Sequence, residues 1–200
     1  MRPFLALTLL ASLAIPLSAT AEQLSTKALV AEMQNGGLVL YMRHAQTETD
    51  YADQVVAIPS RCNTQRMLSE VGWKQARAVG AAVAAAGIPV GEVISSEYCR
   101  AWQTADLAFG RYQKNPALNF EKAENYTDAQ FKAMHDKVLP LLVAPVAAGQ
   151  NRVIVGHDDP FDAAVGIYPE PQGVVYVLRP DGPGGAAVLG HIAPDDWPTK

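Results

Sequence analysis

The sequence predicts an α/β fold, a three-layer α/β/α sandwich around a mostly parallel central sheet. Three apolar runs of strand length, at 37–42, 90–96 and 152–156, alternate with longer segments that have helical spacing. This alternation is typical of units in which a helix connects one strand to the next parallel strand. Residues 22–200 show neither an internal repeat nor a low-complexity linker, so we expect a single domain.

The first half of the chain has clear start and stop signals. A short helix over residues 24–34 is expected to end at Asn35-Gly36-Gly37, where the first strand begins. Residues 46–62 are polar and lack a period, and loops of this length in compact domains are often functional. Ser69 suits the N-cap of a second helix, which Gly87 ends.

The second half continues the alternation and then changes character. Pro140 should kink or split a helix at 127–144, and the chain closes with a hairpin and an irregular tail. The expected elements after the second helix are strand 90–96, helix 101–110, a short strand 117–120, helix 127–144, strand 152–156, helix 161–166, and hairpin strands 174–179 and 186–192.

The first 21 residues have the features of a secretory signal peptide. Arg2 is the only charged residue, an apolar stretch covers residues 4–17, and residues 19–21 form a small-residue cleavage site. The apolar stretch is short for a membrane span. We therefore expect residues 1–21 to be removed and the protein to be secreted, in a bacterium to the periplasm. The alternative is that this segment is not cleaved and anchors the protein to the membrane.

The charge balance argues against nucleic acid or an anionic membrane as a partner. The formal net charge is −4, and loss of the signal peptide would remove only the positive charge of Arg2. A mildly acidic protein is repelled by both kinds of polyanion. No sequence feature indicates the oligomeric state.

Two cysteines, Cys62 and Cys99, predict one disulfide. An even number of cysteines in an oxidising compartment favours pairing. The bond would join the loop after the first strand to the loop after the second. A metal pair or a reactive thiol is the alternative, but neither cysteine has a CxxC or CxxH neighbour.

Arginine and histidine residues stand where three predicted strands end. Arg43-His44 follows the first strand, Arg100 follows the second through residues 95–99, and His157 follows the third. The carboxyl ends of parallel strands share one edge of the sheet, where ligands bind in open α/β folds. We therefore expect these four side chains to meet. Taken singly, they have ordinary alternatives: a solvated strand end, a helix cap or salt bridge, and a buried structural histidine.

Such a set of side chains suits a phosphoryl group. Guanidinium groups bind phosphate oxygens as a fork, and a neutral imidazole is able to attack phosphorus. The arginines would keep His44 neutral and would hold the transition-state charge, so we expect neither a metal nor another cofactor. A zinc site of His44, His157, Asp158 and Asp159 has suitable ligand types, but two arginines would repel the cation.

Four segments resemble, in the same order, the signatures of the histidine phosphatase superfamily, whose fold is called phosphoglycerate mutase-like. Arg43-His44-Ala45-Gln46-Thr47 resembles its Arg-His-Gly signature, and Leu68-Ser69-Glu70-x-Gly72-x-x-Gln75-Ala76 resembles its first helix. Residues 95–105, Ser-Ser-Glu-Tyr-Cys-Arg-Ala-Trp-Gln-Thr-Ala, resemble its Ser-Ser-Pro-x-x-Arg-Ala-x-Gln-Thr-Ala segment. Val155-Gly156-His157 resembles the segment of its second histidine. Together they cover the chain from about Gly37 to Arg179.

This resemblance, with the signal peptide, implies a secreted phosphatase that hydrolyses a small phosphomonoester. His44 would be the nucleophile that forms a phosphohistidine, and Arg43, Arg100 and His157 would complete the phosphate pocket. Thr47 is a candidate for a further phosphate donor, with a turn-forming hydroxyl as an equal alternative.

The resemblance leaves the general acid open among four carboxylates. The family's smaller enzymes carry a Glu some distance after the second arginine, which points to Glu121 or Glu124. Its acid-phosphatase branch carries His-Asp, which Asp158 matches, and Glu97 is a further candidate. We prefer Asp158, because its position is fixed by the neighbouring histidine.

Three departures from the family pattern bear on activity. Ala45 replaces a Gly, Glu97 replaces a Pro, and Asp158-Asp159-Pro160 replaces a small turn. Acids beside a phosphate pocket repel a substrate anion unless one is protonated or points away. The alternative function is therefore a catalytically weak or inactive relative that binds phosphorylated ligands. A mutase is disfavoured, because export separates the protein from glycolytic intermediates.

Overall fold

The computed structural model describes residues 23–122, 125–182 and 185–198. The predicted signal peptide lies outside these residues. The helices are α1 (Thr26–Asn35), α2 (Glu70–Ala85), α3 (Cys99–Phe109), α4 (Asp128–Val143) and α5 (Asp158–Val165). The strands are β1 (Val39–Arg43), β2 (Val90–Ser95), β3 (Gln113–Lys114), β4 (Asn151–Gly156), β5 (Val175–Pro180) and β6 (Ala186–Ile192).

These strands form one sheet in the order β3-β2-β4-β1-β5-β6. The pairs β2–β3, β2–β4 and β1–β4 are parallel, whereas β5 is antiparallel to β1 and β6 is antiparallel to β5. Strand β4 lies between β1 and β2, and its register pairs Arg43 with Gly156 and Ser95 with Val155. The segments that follow these three strands therefore leave the sheet together at one edge.

Helices cover both faces of the sheet. Leu40 and Met42 of β1 belong to a core that includes α1, α2 and α3, whereas Val39 and Tyr41 belong to a core with α4 and α5. All five residues of β1 are buried, as expected for a central strand covered on both sides. The predicted three-layer sandwich with a mostly parallel sheet is confirmed.

Gly72 allows α2 to pack closely against the segment that follows His44. A Cβ atom at Gly72 would lie 1.9 Å from the carbonyl oxygen of Gln46. The Ser69 hydroxyl accepts a hydrogen bond from Gly72 N at 3.1 Å and donates one to the same Gln46 carbonyl at 3.2 Å. The predicted N-cap therefore also anchors the chain beyond β1.

The predicted strand at 117–120 is wrong. The edge strand is Gln113–Lys114, and Pro116–Leu118 forms a 3₁₀ turn. The Asn115 side chain accepts a hydrogen bond from Ala117 N at 3.0 Å, which directs the chain into this turn instead of an extended conformation. Leu118 is fully buried, so the apolar pattern reports burial and not strand structure.

Helices α4 and α5 also differ from expectation. Pro140 does not split α4, which continues through it to Val143, although proline cannot donate the hydrogen bond to the Asp136 carbonyl four residues earlier. Helix α5 begins at Asp158 instead of Phe161, with Pro160 in the first turn, where helical N–H groups lack partners anyway. Across the described residues, no helix has the length and apolar character needed to cross a bilayer.

The predicted disulfide between Cys62 and Cys99 is present, with a Cα–Cα distance of 5.6 Å. Cys99 is the first residue of α3 and directly precedes Arg100. The bond therefore fastens the long loop after β1 to the start of the helix that carries Arg100.

Candidate active site

Four side chains form a buried cluster at the carboxyl edge of the sheet. Arg43 ends β1, His44 follows it, Arg100 lies in the first turn of α3, and His157 follows β4. Their exposed fractions are 6%, 1%, 4% and 1% respectively. The ring centroids of His44 and His157 are 5.4 Å apart. The Phe120 ring lies 4.9 Å from the ring of His157 and 5.2 Å from Cζ of Arg100.

A backbone contact fixes the tautomer of His44. Its Nδ1 lies 2.9 Å from the carbonyl oxygen of Ala45, which can only accept a hydrogen bond. Nδ1 therefore carries the proton in the neutral ring, and Nε2 keeps its lone pair. This is the form of histidine that acts as a nucleophile.

The surroundings of His44 strongly disfavour its protonation. Burial and the positive charge of Arg100 are the main causes that lower the pKa of His44 from 6.5 to about 3. The hydrogen bond to Ala45 and the charge of Asp158 act in the opposite direction but are outweighed. His44 is therefore neutral at physiological pH.

His157 is held in the opposite tautomer. The Ser96 hydroxyl donates to Asn119 Oδ1 at 2.8 Å, so its oxygen must accept from His157 Nε2, which lies 2.8 Å away. The Tyr41 hydroxyl donates to the His157 carbonyl at 2.7 Å. Nδ1 of His157 is buried and has no partner among the described residues. Burial and the nearby positive charge of Arg100 keep its pKa well below the ordinary value.

Arg43 is held by contacts with the first residue of α5 and with the segment that follows α5. It donates to the Pro169 carbonyl at 2.8 Å and to Asp158 Oδ2 at 2.5 Å, and its guanidinium lies 5.5 Å from the centre of the Tyr168 ring. The Tyr168 hydroxyl donates to the same Asp158 oxygen at 2.9 Å. Burial alone would raise the pKa of Asp158, but Arg43 and Tyr168 outweigh it and lower that pKa. Asp158 is ionised in this arrangement.

Arg100 is paired with an acid from the long loop. It donates to Asp53 Oδ1 at 3.0 Å, and the same oxygen accepts from Arg66 N at 2.6 Å. The rings of Tyr98 and Phe120 lie on Arg100, with centroids 5.3 and 5.2 Å from Cζ. Sequence reasoning missed Asp53, since its loop has no period, and no motif marks it.

Other sequence candidates have different partners. Thr47 is buried, and its hydroxyl accepts from Gln172 Nε2 at 3.3 Å. Glu97 accepts from Asn119 at 2.8 Å, and Glu121 accepts from Lys137 at 2.6 Å. Glu124 lies outside the described residues.

Two buried donors of the cluster favour a ligand that carries acceptor oxygen atoms. Nε atoms of Arg43 and Arg100 are buried and have no partner within the described ranges. Buried donors without partners are rare, and the oxygen atoms of a bound anion would satisfy both of them. In the same ranges, no three His, Cys, Asp or Glu side chains are grouped as a metal ion would require.

Comparison with known structures gives the same fold. The structure of the protein histidine phosphatase SixA complexed with tungstate is 17% identical, with a TM-score of 0.55, and the match covers 80% of this chain and 99% of that one. A phosphoserine phosphatase mutant from Entamoeba histolytica with bound phosphoserine is 12% identical, with a TM-score of 0.58, covering 80% and 99%. A mycobacterial glucosyl-3-phosphoglycerate phosphatase with VO3 is 16% identical, with a TM-score of 0.53, covering 72% and 92%. At these identities the likeness concerns the fold.

Family assignment comes from the sequence itself. No curated protein sequence matches the chain significantly. The family model of the histidine phosphatase superfamily, branch 1, matches residues 39–139, which is half of the chain and includes Arg43, His44 and Arg100. With the sheet order and the buried cluster described above, this match establishes that the chain belongs to the histidine phosphatase superfamily.

Proposed function

We propose that this protein is a secreted phosphatase that hydrolyses a phosphomonoester, without a metal, through a phosphohistidine on His44. The observation that carries the proposal is the buried, neutral His44, whose Nδ1 is bound to the Ala45 carbonyl and whose Nε2 has no hydrogen-bond partner among the residues that the structure describes. Arg43 and Arg100 lie around it and supply guanidinium donors that hold a phosphoryl anion, and the ring of His157 borders the same pocket. The disulfide is compatible with secretion.

The reaction proceeds in two steps. The Nε2 lone pair of His44 forms a bond to phosphorus while the bond from phosphorus to the ester oxygen breaks, and the departing oxygen takes a proton. A water oxygen then attacks the phosphohistidine and gives up one proton. The N–P bond breaks, its electron pair returns to Nε2, and orthophosphate leaves.

Asp158 is the proposed proton donor, and it returns to its acid form in the second step by taking the proton of water. A bound phosphoryl group competes for Arg43, and its negative charge lies close to Asp158. Both effects raise the pKa of Asp158, and burial acts in the same direction. The carboxylate that Arg43 keeps ionised is therefore protonated as substrate binds.

Hydrolysis of p-nitrophenyl phosphate in chelator, from pH 4 to 8, tests the nucleophile. We expect turnover by the wild-type protein and its loss, by at least ~10³-fold, in His44→Ala, since this variant lacks the attacking lone pair. Turnover that persists in His44→Ala, or that requires an added metal, would contradict the proposal.

Comparing two leaving groups in one variant tests Asp158. Nitrophenolate departs without a proton, whereas an alkoxide requires one. We expect Asp158→Asn to lower kcat/KM for ethyl phosphate at least ~10-fold more than for p-nitrophenyl phosphate. An equal loss with both substrates would mean that Asp158 only positions Arg43.

A phosphorylated histidine is a second candidate substrate. Asp158 is ionised in the structure without a bound substrate. Cleavage of a P–N bond releases an imidazole, and this leaving group needs a weaker acid than an alkoxide does. SixA, which has the same fold, is a protein histidine phosphatase. A kcat/KM for phosphoimidazole that exceeds that for p-nitrophenyl phosphate, and that Asp158→Asn leaves unchanged, would favour this candidate.

The alternative of an inactive binding relative rests on the extra acidic residues. Asp158 is paired with Arg43, Asp159 accepts from the Tyr126 hydroxyl at 2.9 Å, and Glu97 is held by Asn119. Arg43 offsets the charge of Asp158, and burial together with the nearby charge of Asp158 raises the pKa of Asp159, which favours its neutral form; both effects support an enzyme. Stabilisation by tungstate without turnover of any phosphate ester would instead favour the binding relative.

A further inference from the structure

A cavity of about 270 Å³ lies beside the His44 cluster. Three of the residues that line it, Asp53, Tyr98 and Phe120, also contact Arg100. The rings of Tyr98 and Phe120 lie edge-on to His157, at centroid distances of 5.4 and 4.9 Å. The cavity and the proposed phosphate pocket therefore share a wall.

The inner surface of this cavity is apolar. Ala57 and Tyr98 are buried, with exposed fractions of 5% and 1%, and the half-buried Phe120 packs on Tyr98 at 4.3 Å between ring centroids. Gln54 and Val55 are exposed at the mouth, as is Lys122. Apart from Asp53, which pairs with Arg100, the charged and amide side chains of the lining thus stand at the entrance, and an apolar interior with a few polar groups is typical of sites for small organic groups.

The loop side of the cavity is held in place by several bonds. Gln54 N donates to the Thr64 carbonyl at 3.0 Å, and Ile58 N donates to the Thr64 hydroxyl at 2.9 Å. Gln65 donates to the carbonyls of Ile58 and Pro59. The disulfide ties the end of this segment to α3. The wall is therefore formed before any ligand arrives, so ligand binding need not order it.

We propose that this cavity is the leaving-group subsite and that the substrate's alcohol carries a ring-sized apolar group. This inference rests on the proposed function. A dry cavity of about 150 Å³ is sufficient to bind benzene. The volume beside Phe120 accommodates one ring together with the short linker to the ester oxygen.

Ethyl phosphate and 2-phenylethyl phosphate form a matched pair of substrates, because both release a primary alkoxide. We expect the wild-type protein to favour 2-phenylethyl phosphate by at least ~10-fold in kcat/KM, since the phenyl group alone enters the cavity. Equal kcat/KM values for the two esters would overturn the subsite and leave the phosphatase proposal intact.

Two neighbouring valines provide a matched control. Val55 and Val56 are both exposed, at 96% and 66%, but only Val55 lines the cavity. Val55→Asp should lower the preference for the phenyl substrate by ~5-fold, and Val56→Asp should leave it unchanged, although both add the same charge. Ala57→Leu, which fills the inner surface, should remove most of the preference. An equal effect of Val55→Asp and Val56→Asp would contradict the assignment.

Binding measurements keep the inference testable without turnover. If neither ester nor p-nitrophenyl phosphate is hydrolysed, the proposed function fails, and calorimetry with 2-phenylethylphosphonate and ethylphosphonate then decides the subsite. Tighter binding of the phenyl compound, lost in Ala57→Leu, supports it. Equal affinity, or no binding of either compound, overturns it.

Discussion

Loss of the Cys62–Cys99 disulfide should destabilise the protein strongly. The bond closes a loop with a sequence separation of 37 residues. Loop-closure entropy for a loop of this length corresponds to about 4 kcal/mol at 25 °C. For a domain of this size, a loss of that magnitude lowers Tm by roughly 8–16 °C.

The same bond also bears on the candidate active site. The loop that it fastens contains Asp53, which pairs with Arg100, and Cys99 directly precedes that arginine. Release of the loop weakens the Asp53–Arg100 pair and exposes Arg100 to solvent. We therefore expect kcat/KM for p-nitrophenyl phosphate to fall together with stability.

Thermal unfolding with and without dithiothreitol measures the effect, and Cys62→Ala/Cys99→Ala provides the control. The reductant should lower Tm of the wild-type protein to that of the double variant and should leave the variant itself unchanged. A decrease of less than about 2 °C upon reduction would refute the reasoning, because it would show that the loop is held without the bond.

Three further predictions concern the cluster. The pKa of His44 is lowered from 6.5 to about 3. Between these two pH values the unfolded chain binds a proton at His44 and the folded protein does not. The free energy of unfolding should therefore decrease as the pH falls, by up to ~1.4 kcal/mol per pH unit. Denaturant unfolding from pH 7 to 4 should show a smaller decrease for His44→Gln, and an identical slope would contradict the assigned shift. Tyr41→Phe removes the hydroxyl that donates to the His157 carbonyl at 2.7 Å. The free energy of unfolding should decrease by about 1–3 kcal/mol, and an unchanged value would mean that water replaces the hydroxyl. Asp53→Asn keeps the hydrogen bonds but removes the charge opposite Arg100; because Asp53 is partly exposed, we expect a loss of only about 1–2 kcal/mol in denaturant unfolding, and a gain in stability would argue against the ion pair.

Local sequence signals were sufficient to predict the strand, the helix start and the disulfide that surround the candidate active site. The apolar run before Arg43 predicts a buried strand, and the strand register places its end beside Gly156. Ser69 predicts the start of α2 because an N-cap acts within its own turn. The Cys62–Cys99 pair follows from the number of cysteines alone. Each of these predictions depends on residues that are close in sequence or, for the disulfide, on there being one possible pair of cysteines.

Tertiary partners lie beyond such signals. Asp53 and Tyr168 stand in segments without a period, and their roles depend on which guanidinium group the folded chain brings near them. The apolar residues at 117–120 suggested a strand, but the Asn115 side chain stabilises a turn there, and Leu118 enters the core from that turn. A pattern of apolar residues indicates which residues are buried. It indicates the backbone conformation only where no polar side chain competes for the hydrogen-bonding groups of the backbone.

The acidic residues near the site, which argue against phosphate binding when the sequence is considered alone, have a different role in the folded protein. Arg43 pairs with Asp158 and lies 3.7 Å from the exposed Glu170, Arg100 pairs with Asp53, and His44 and His157 are neutral. Carboxylates therefore already balance the positive charges of Arg43 and Arg100, and a phosphate dianion would add uncompensated charge to a buried site. Protonation of Asp158 relieves this excess, and it supplies the acid that an alkoxide leaving group requires. In this proposal, substrate binding and activation of the proton donor are the same electrostatic event, so an acid beside the pocket is a condition for turnover and not an obstacle to binding.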